Sequence, residues 1–168
     1  HLSLRRQRQM CIRDRANTPD NLLPESWHKY FAIEANNAAW TLSESLADIS
    51  LRTEVLDLAH ASAWHWRVAG KEIHHMRSVM LLALVHARMN MGPSAWAYAE
   101  RMRMYFIDKT DTPDWELAFT HTIHALAARA FGKTAEYQAS RQAALQSMSA
   151  IKVKEDRDVV MKTFQLIA

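Results

Sequence analysis

Residues 72–92, EIHHMRSVMLLALVHARMNMG, and residues 114–132, DWELAFTHTIHALAARAFG, decide the fold. Within them, residues 78–87 and 117–128 carry no charge on any side. A surface helix keeps a polar face, so a helix that is apolar all round must be covered by neighbours over most of its circumference. Both stretches fall short of the roughly 18 apolar residues that a membrane span needs. They are expected to form the centre of a soluble domain, with no membrane segment.

Working outward, every helix breaker stands at a boundary. Gly70, Gly92 and Gly132 stand where apolar periodic runs stop, the place of a left-handed helix C-cap. Pro93 and Pro113 open new runs, and Pro19 and Pro24 precede the first. Helices are expected near 26–48, 52–69, 72–91, 94–109, 114–131, 134–151 and 155–166, with Ser26 and Thr112 as N-caps. In the fourth, Ala95, Tyr98, Ala99, Met102, Tyr105 and Phe106 follow helical spacing and predict one buried face, leaving Glu100, Arg101 and Arg103 outward. No Val/Ile/Thr-rich alternating run competes, so the expected class is all-α.

The 168 residues are 49% apolar and 23% charged, enough for one domain with a sizeable core. The opening HLSLRRQRQMCIRDR lacks apolar periodicity and resembles translated sequencing-adapter sequence, so residues 1–22 are expected to be disordered and non-native, and 23–168 to form the domain. Arg5, Arg6, Arg8, Arg13 and Arg15 against Asp14 give that opening +4 of the formal +3, which leaves −1 on the rest. A near-neutral body has no broad field for phosphate backbones, so no nucleic-acid partner is expected. Cys11, the one cysteine, lies in the same opening and leaves the body without a thiol.

Short joints should fold consecutive helices back on each other as antiparallel hairpins. Gly92 pairs with Gly132, Ala87 with Ala127, Ala95 with Ala135, Ala99 with Ala139 and Arg101 with Arg141 at a spacing of forty. Small residues flanking a turn allow close helix packing, and the pattern resembles the tetratricopeptide repeat over residues 76–151, more loosely over 52–91. The repeat length differs from that family's usual one, and Arg88 and Ala128 stand where its tyrosine would be. From Trp27 onward the chain also resembles a family of small bacterial tetratricopeptide-like proteins, through EANNAAW (34–40), HASAWHWRVAG (60–70), ARMNMGPSAWAYAERM (87–102) and PDWELAFTHTIHALAARAFG (113–132). The resemblance implies about seven stacked antiparallel helices, a bacterial cytoplasmic setting and a concave face for a partner, with no established reaction.

The candidate groove is built on Asn36, Asn37, Trp40, His60, Trp64, His65, Arg77, His86, Trp115 and His121. His60 and Trp64 share a helix face while His65 and Trp66 project in adjacent directions, so part of this cluster should reach a groove or another helix. Arg77 with the Asn amides suits a ligand carboxylate, and the Asn pair alternatively fixes helix register. A rival reading gathers His86, His121 and His124, with His60 or His65, around a metal ion, as a metal-binding helical bundle or a metal-dependent enzyme. Glu25-x-x-His28 and Glu72-x-x-His75 lie in first helical turns, where the acids suit the helix dipole. Three glycines at helix ends leave no phosphate-cradling loop or nucleophile elbow, so neither enzyme chemistry nor a cofactor is expected. The expected function is a non-enzymatic interaction or scaffolding module for a partner peptide or helix, with homodimerisation through an uncovered terminal helix.

Overall fold

Helix-forming runs bounded by Gly, Pro and Asn give an all-α chain. The computed structural model describes residues 23–44 and 51–167, so the expectations for 1–22 and for the end of the first helix at 45–48 lie outside the described residues. Among the described residues there are seven α-helices and no strand. They are α1 (Pro24–Glu44), α2 (Leu51–Ala69), α3 (Glu72–Arg88), α4 (Gly92–Ile107), α5 (Asp114–Ala130), α6 (Thr134–Ala150) and α7 (Lys154–Phe164), followed by a 3-10 turn, Gln165–Ile167.

The two charge-free helices lie at the centre. Residues 78–87 of α3 are all buried, and in α5 residues 115–128 are buried except for the half-buried Leu117 and His121. Helix α3 touches α1, α2, α4 and α5, while α5 touches α3, α4, α6, α7 and the 3-10 turn. Contacts α1 to α3, α3 to α5 and α5 to α7 place these four helices in a row, with α2, α4 and α6 along its flank. Helix α4 buries Ala95, Ala99, Met102 and Phe106, with Tyr98 and Tyr105 at the margin. Burying such side chains at about 1.5–3 kcal/mol each is what offsets the loss of chain entropy.

The caps differ from those expected. Helix α1 starts at Pro24, so Ser26 lies inside it and its amide bonds to the Leu23 carbonyl at 3.1 Å. Thr112 serves the preceding helix: its hydroxyl donates to the Phe106 carbonyl at 2.7 Å, and Pro113 occupies the N-cap of α5. A proline can take that place because the missing N–H has no helical partner to lose.

The spacing of forty is also corrected. The left-handed residue after α3 is Asn90 (φ 59), and the one after α5 is Gly132 (φ 75). Amides of Met89, Asn90 and Met91 bond to Val85, Ala87 and His86, and those of Phe131, Gly132 and Lys133 bond to Ala127, Arg129 and Ala128 in the same pattern. The two turns therefore repeat at forty-two residues, the offset from Asn90 to Gly132. Two residues turn a helix by about 200°. Ala135 and Ala139 accordingly face solvent, and Ser140, Ala144 and Met148 face inward. Gly92 is buried in the first turn of α4, where a Cβ would stand 2.5 Å from the Ala130 carbonyl oxygen.

Candidate functional site

A buried ion pair joins the two central helices, while Trp115 Nε1 and Thr122 Oγ1 on α5 are buried without a hydrogen-bond partner. Arg77 on α3 donates from Nε and a terminal nitrogen to the two Glu116 oxygens on α5, at 2.7 and 3.0 Å. The side chains are 12% and 2% exposed, so this is a buried fork with both charges matched. The guanidinium lies 5.7 Å from the Trp115 ring, and the rings of Trp115 and Trp40 both stand nearly perpendicular to Phe119. Glu116 therefore occupies the fork that was expected to take a ligand carboxylate. Asn36 donates to Asn37 at 3.4 Å, an intrahelical contact in α1.

A second polar seam joins α4, α5 and α6. His124 stands 2.6 Å from Glu100 through Nε2 and 2.7 Å from Ser140 through Nδ1. Burial pushes the imidazole pKa down against the raising effect of Glu100. The consistent tautomer is neutral: Nε2–H donates to the carboxylate, and the Ser140 hydroxyl donates to Nδ1. Serine, histidine and glutamate thus stand in relay order. Ser140 is buried in the middle of α6, where the backbone amides are consumed by the helix, so the seam works as a tie between helices. His121, one turn before His124, is pushed down to about 4, first by burial and then by Arg103 and His124.

His86 is a core residue whose Nδ1–H donates to the Leu82 carbonyl at 2.8 Å; its ring lies 5.4 Å from His60 and 5.1 Å from Tyr98. Among the described residues no group of three His, Cys, Asp or Glu side chains converges to hold a metal ion. Each of His86 and His124 has polar or aromatic partners of its own because its helix is enclosed by different neighbours.

The accessible cluster lies where the start of α1 meets the end of α2. Trp27, His28 and Phe31 lie within one helical turn of each other, as do Trp64, His65 and Val68. Trp27 and Phe31 rings are 5.7 Å apart, Phe31 and His65 5.5 Å, and His28 and Trp64 5.2 Å. The Nδ1 atoms of His28 and His65 are 2.8 Å apart, so one imidazole donates to the other. Burial, then the neighbouring His28, pushes the His65 pKa down. Phe31 is 44%, Trp64 49% and Val68 52% exposed. Ser62 ties the same pair of helices by donating to the Ala32 carbonyl at 2.9 Å.

Of the expected groove residues, Trp64 and His65 belong to this cluster, and the exposed His60 lies one turn before Trp64 on α2. Trp40, His86 and Trp115 are core, Arg77 closes the central ion pair, and His121 lies beside the α4–α6 seam. Sequence reasoning passed over Glu100, Glu116, Phe31, Val68 and the pairing of His28. Glu116 sits just outside the charge-free run of α5 and Glu100 midway along α4, while the 28/31 and 65/68 spacings mark one face on each helix. No helix among the described residues is long and apolar enough to cross a membrane. Compared with protein-family models, curated proteins and solved structures, the chain matches none.

Proposed function

We propose that the chain is a non-enzymatic, tetratricopeptide-like interaction module that holds a partner peptide or helix against the aromatic end of α1 and α2. In this reading α1–α2, α3–α4 and α5–α6 are antiparallel hairpins and α7 closes the stack. The contacts along the odd-numbered helices and the turn repeated at forty-two residues support it. The partner surface moves from the α3 and α5 faces, which their neighbours cover, to the ends of the first hairpin. The observation that carries the proposal is the exposure of Phe31, Trp64 and Val68 beside Trp27 and the histidine pair. Aromatic side chains with an apolar body and little rotamer entropy dominate the energy of protein interfaces.

The test is quantitative affinity capture with the wild type, Phe31→Ala and Trp64→Ala, each checked for an unchanged helical spectrum and melting temperature. Truncating a central aromatic anchor costs about 2 kcal/mol or more, so at least a tenfold loss of a specific partner is expected. Equal recovery of every partner by all three proteins refutes this surface.

A further inference from the structure

The paired imidazoles bring two ring nitrogens from α1 and α2 to one point near the surface. His28 and His65 approach from different helices, thirty-seven residues apart, with their Nδ1 atoms 2.8 Å from each other and ring centroids 4.9 Å apart. Two metal–nitrogen bonds of about 2.0 Å meeting at a right angle put their nitrogens about 2.8 Å apart, whereas a tetrahedral angle puts them about 3.3 Å apart. The observed separation therefore fits two cis positions of a square-planar or octahedral centre.

We propose that His28 and His65 form a two-imidazole chelating site for a late divalent transition metal, best suited to Cu(II) and next to Ni(II). The metal replaces the proton shared between the two Nδ1 atoms. The ring that carried that proton regains one at its own Nε2, so both ligands are neutral imidazoles and binding at neutral pH needs no net proton release. The remaining equatorial positions are taken by water on the side of the exposed Trp64. Imidazole nitrogen suits copper and nickel, and the Irving–Williams order places Cu(II) first among the divalent ions of the first row. Because the ligands come from two helices, the ion also crosslinks the first hairpin. This site stands independently of the partner-binding reading.

The test is titration of the full chain with Cu(II), followed by electron paramagnetic resonance and thermal melting, in the wild type, His28→Phe, His65→Phe and His60→Ala. Phenylalanine preserves ring packing, and His60 is a neighbouring exposed histidine on α2 that the site does not use. The wild type and His60→Ala should bind one more Cu(II) per chain than either phenylalanine variant. They should also show a signal from two imidazole nitrogens and melt at higher temperature with copper. Equal copper stoichiometry and equal melting shifts in all four proteins overturn the proposal. Zn(II) binding at this pair in preference to Cu(II) overturns it too. Should a phenylalanine variant fail to fold, the wild-type spectrum decides: a strongly bound copper without two imidazole nitrogens refutes the site.

Discussion

Burial decides the protonation of the histidines on α5, and it does so with a sign that can be followed in solution. His121 is held at about 4, against an ordinary value of 6.5, chiefly by burial and secondarily by Arg103 and His124. The unfolded chain therefore binds a proton more readily than the folded one between these two values, so stability rises with pH across that window. The contribution is complete above about pH 6.5, falls as the pH drops towards 4, and stays flat below it. Allowing for the solvent-facing edge of the ring, it amounts to on the order of 2 kcal/mol. Replacing His121 by Gln should flatten the loss of urea stability between pH 6.5 and 4; an unchanged slope refutes that assignment. None of this was legible in the sequence, which offered His121 as a groove residue or a metal ligand. Spacing puts His121 and His124 on one face of α5, but which neighbours enclose that face depends on helices distant in the chain. Glu100 and Glu116 were invisible as partners for the same reason: each looks like an ordinary surface acid until α5 packs beside α4 and α3.

At the scale of the helix, the sequence revealed where elements stop more reliably than how they are joined. Gly and Pro mark the ends of six helical runs because a missing Cβ or a missing N–H is tolerated there and costly elsewhere. The class and the central place of α3 and α5 follow from that punctuation and from the uncharged runs, whereas no Gly or Pro stands between α6 and α7. The repeat spacing does not, because Gly92 and Gly132 do different things. Gly132 supplies a left-handed backbone in open space, while Gly92 lets the start of α4 approach the end of α5. Asn90 supplies the left-handed residue in the earlier turn, and asparagine is the side chain that best accepts that conformation after glycine. Three substitutions separate these roles in urea unfolding. Gly132→Asn should be nearly neutral, and Gly132→Ala should cost about 1 kcal/mol for the backbone conformation alone. Gly92→Ala should cost more, about 2–3 kcal/mol, because its Cβ would meet backbone that cannot move aside. A Gly92→Ala protein as stable as the wild type would refute the close approach of α4 to α5.

Across the whole molecule, the row of α1, α3, α5 and α7 has unlike ends. At the first end, aromatic groups stand in solvent; at the other, α7 and the 3-10 turn cover α5, burying Val160, Phe164 and Ile167. The closing turn is held from the flank as well, since Tyr137 donates its hydroxyl to the Ile167 carbonyl at 2.9 Å and Arg129 donates to the Leu166 carbonyl. A row of apolar helices needs such a cap because its last member has no successor to cover it. Under the proposed partner reading, stability and recognition fall at opposite ends, and a single substitution can separate them. Ile167→Ala removes a fully buried side chain and should cost about 2–4 kcal/mol, visible as a lower urea midpoint. Coupling in a row of helices runs mainly between neighbours, so the α1–α2 surface should keep its structure while the chain is folded. Partner recovery and copper stoichiometry at 10 °C should then match the wild type, even though the melting temperature falls. Loss of either binding property in a still-folded Ile167→Ala protein would mean that the two ends act as one unit.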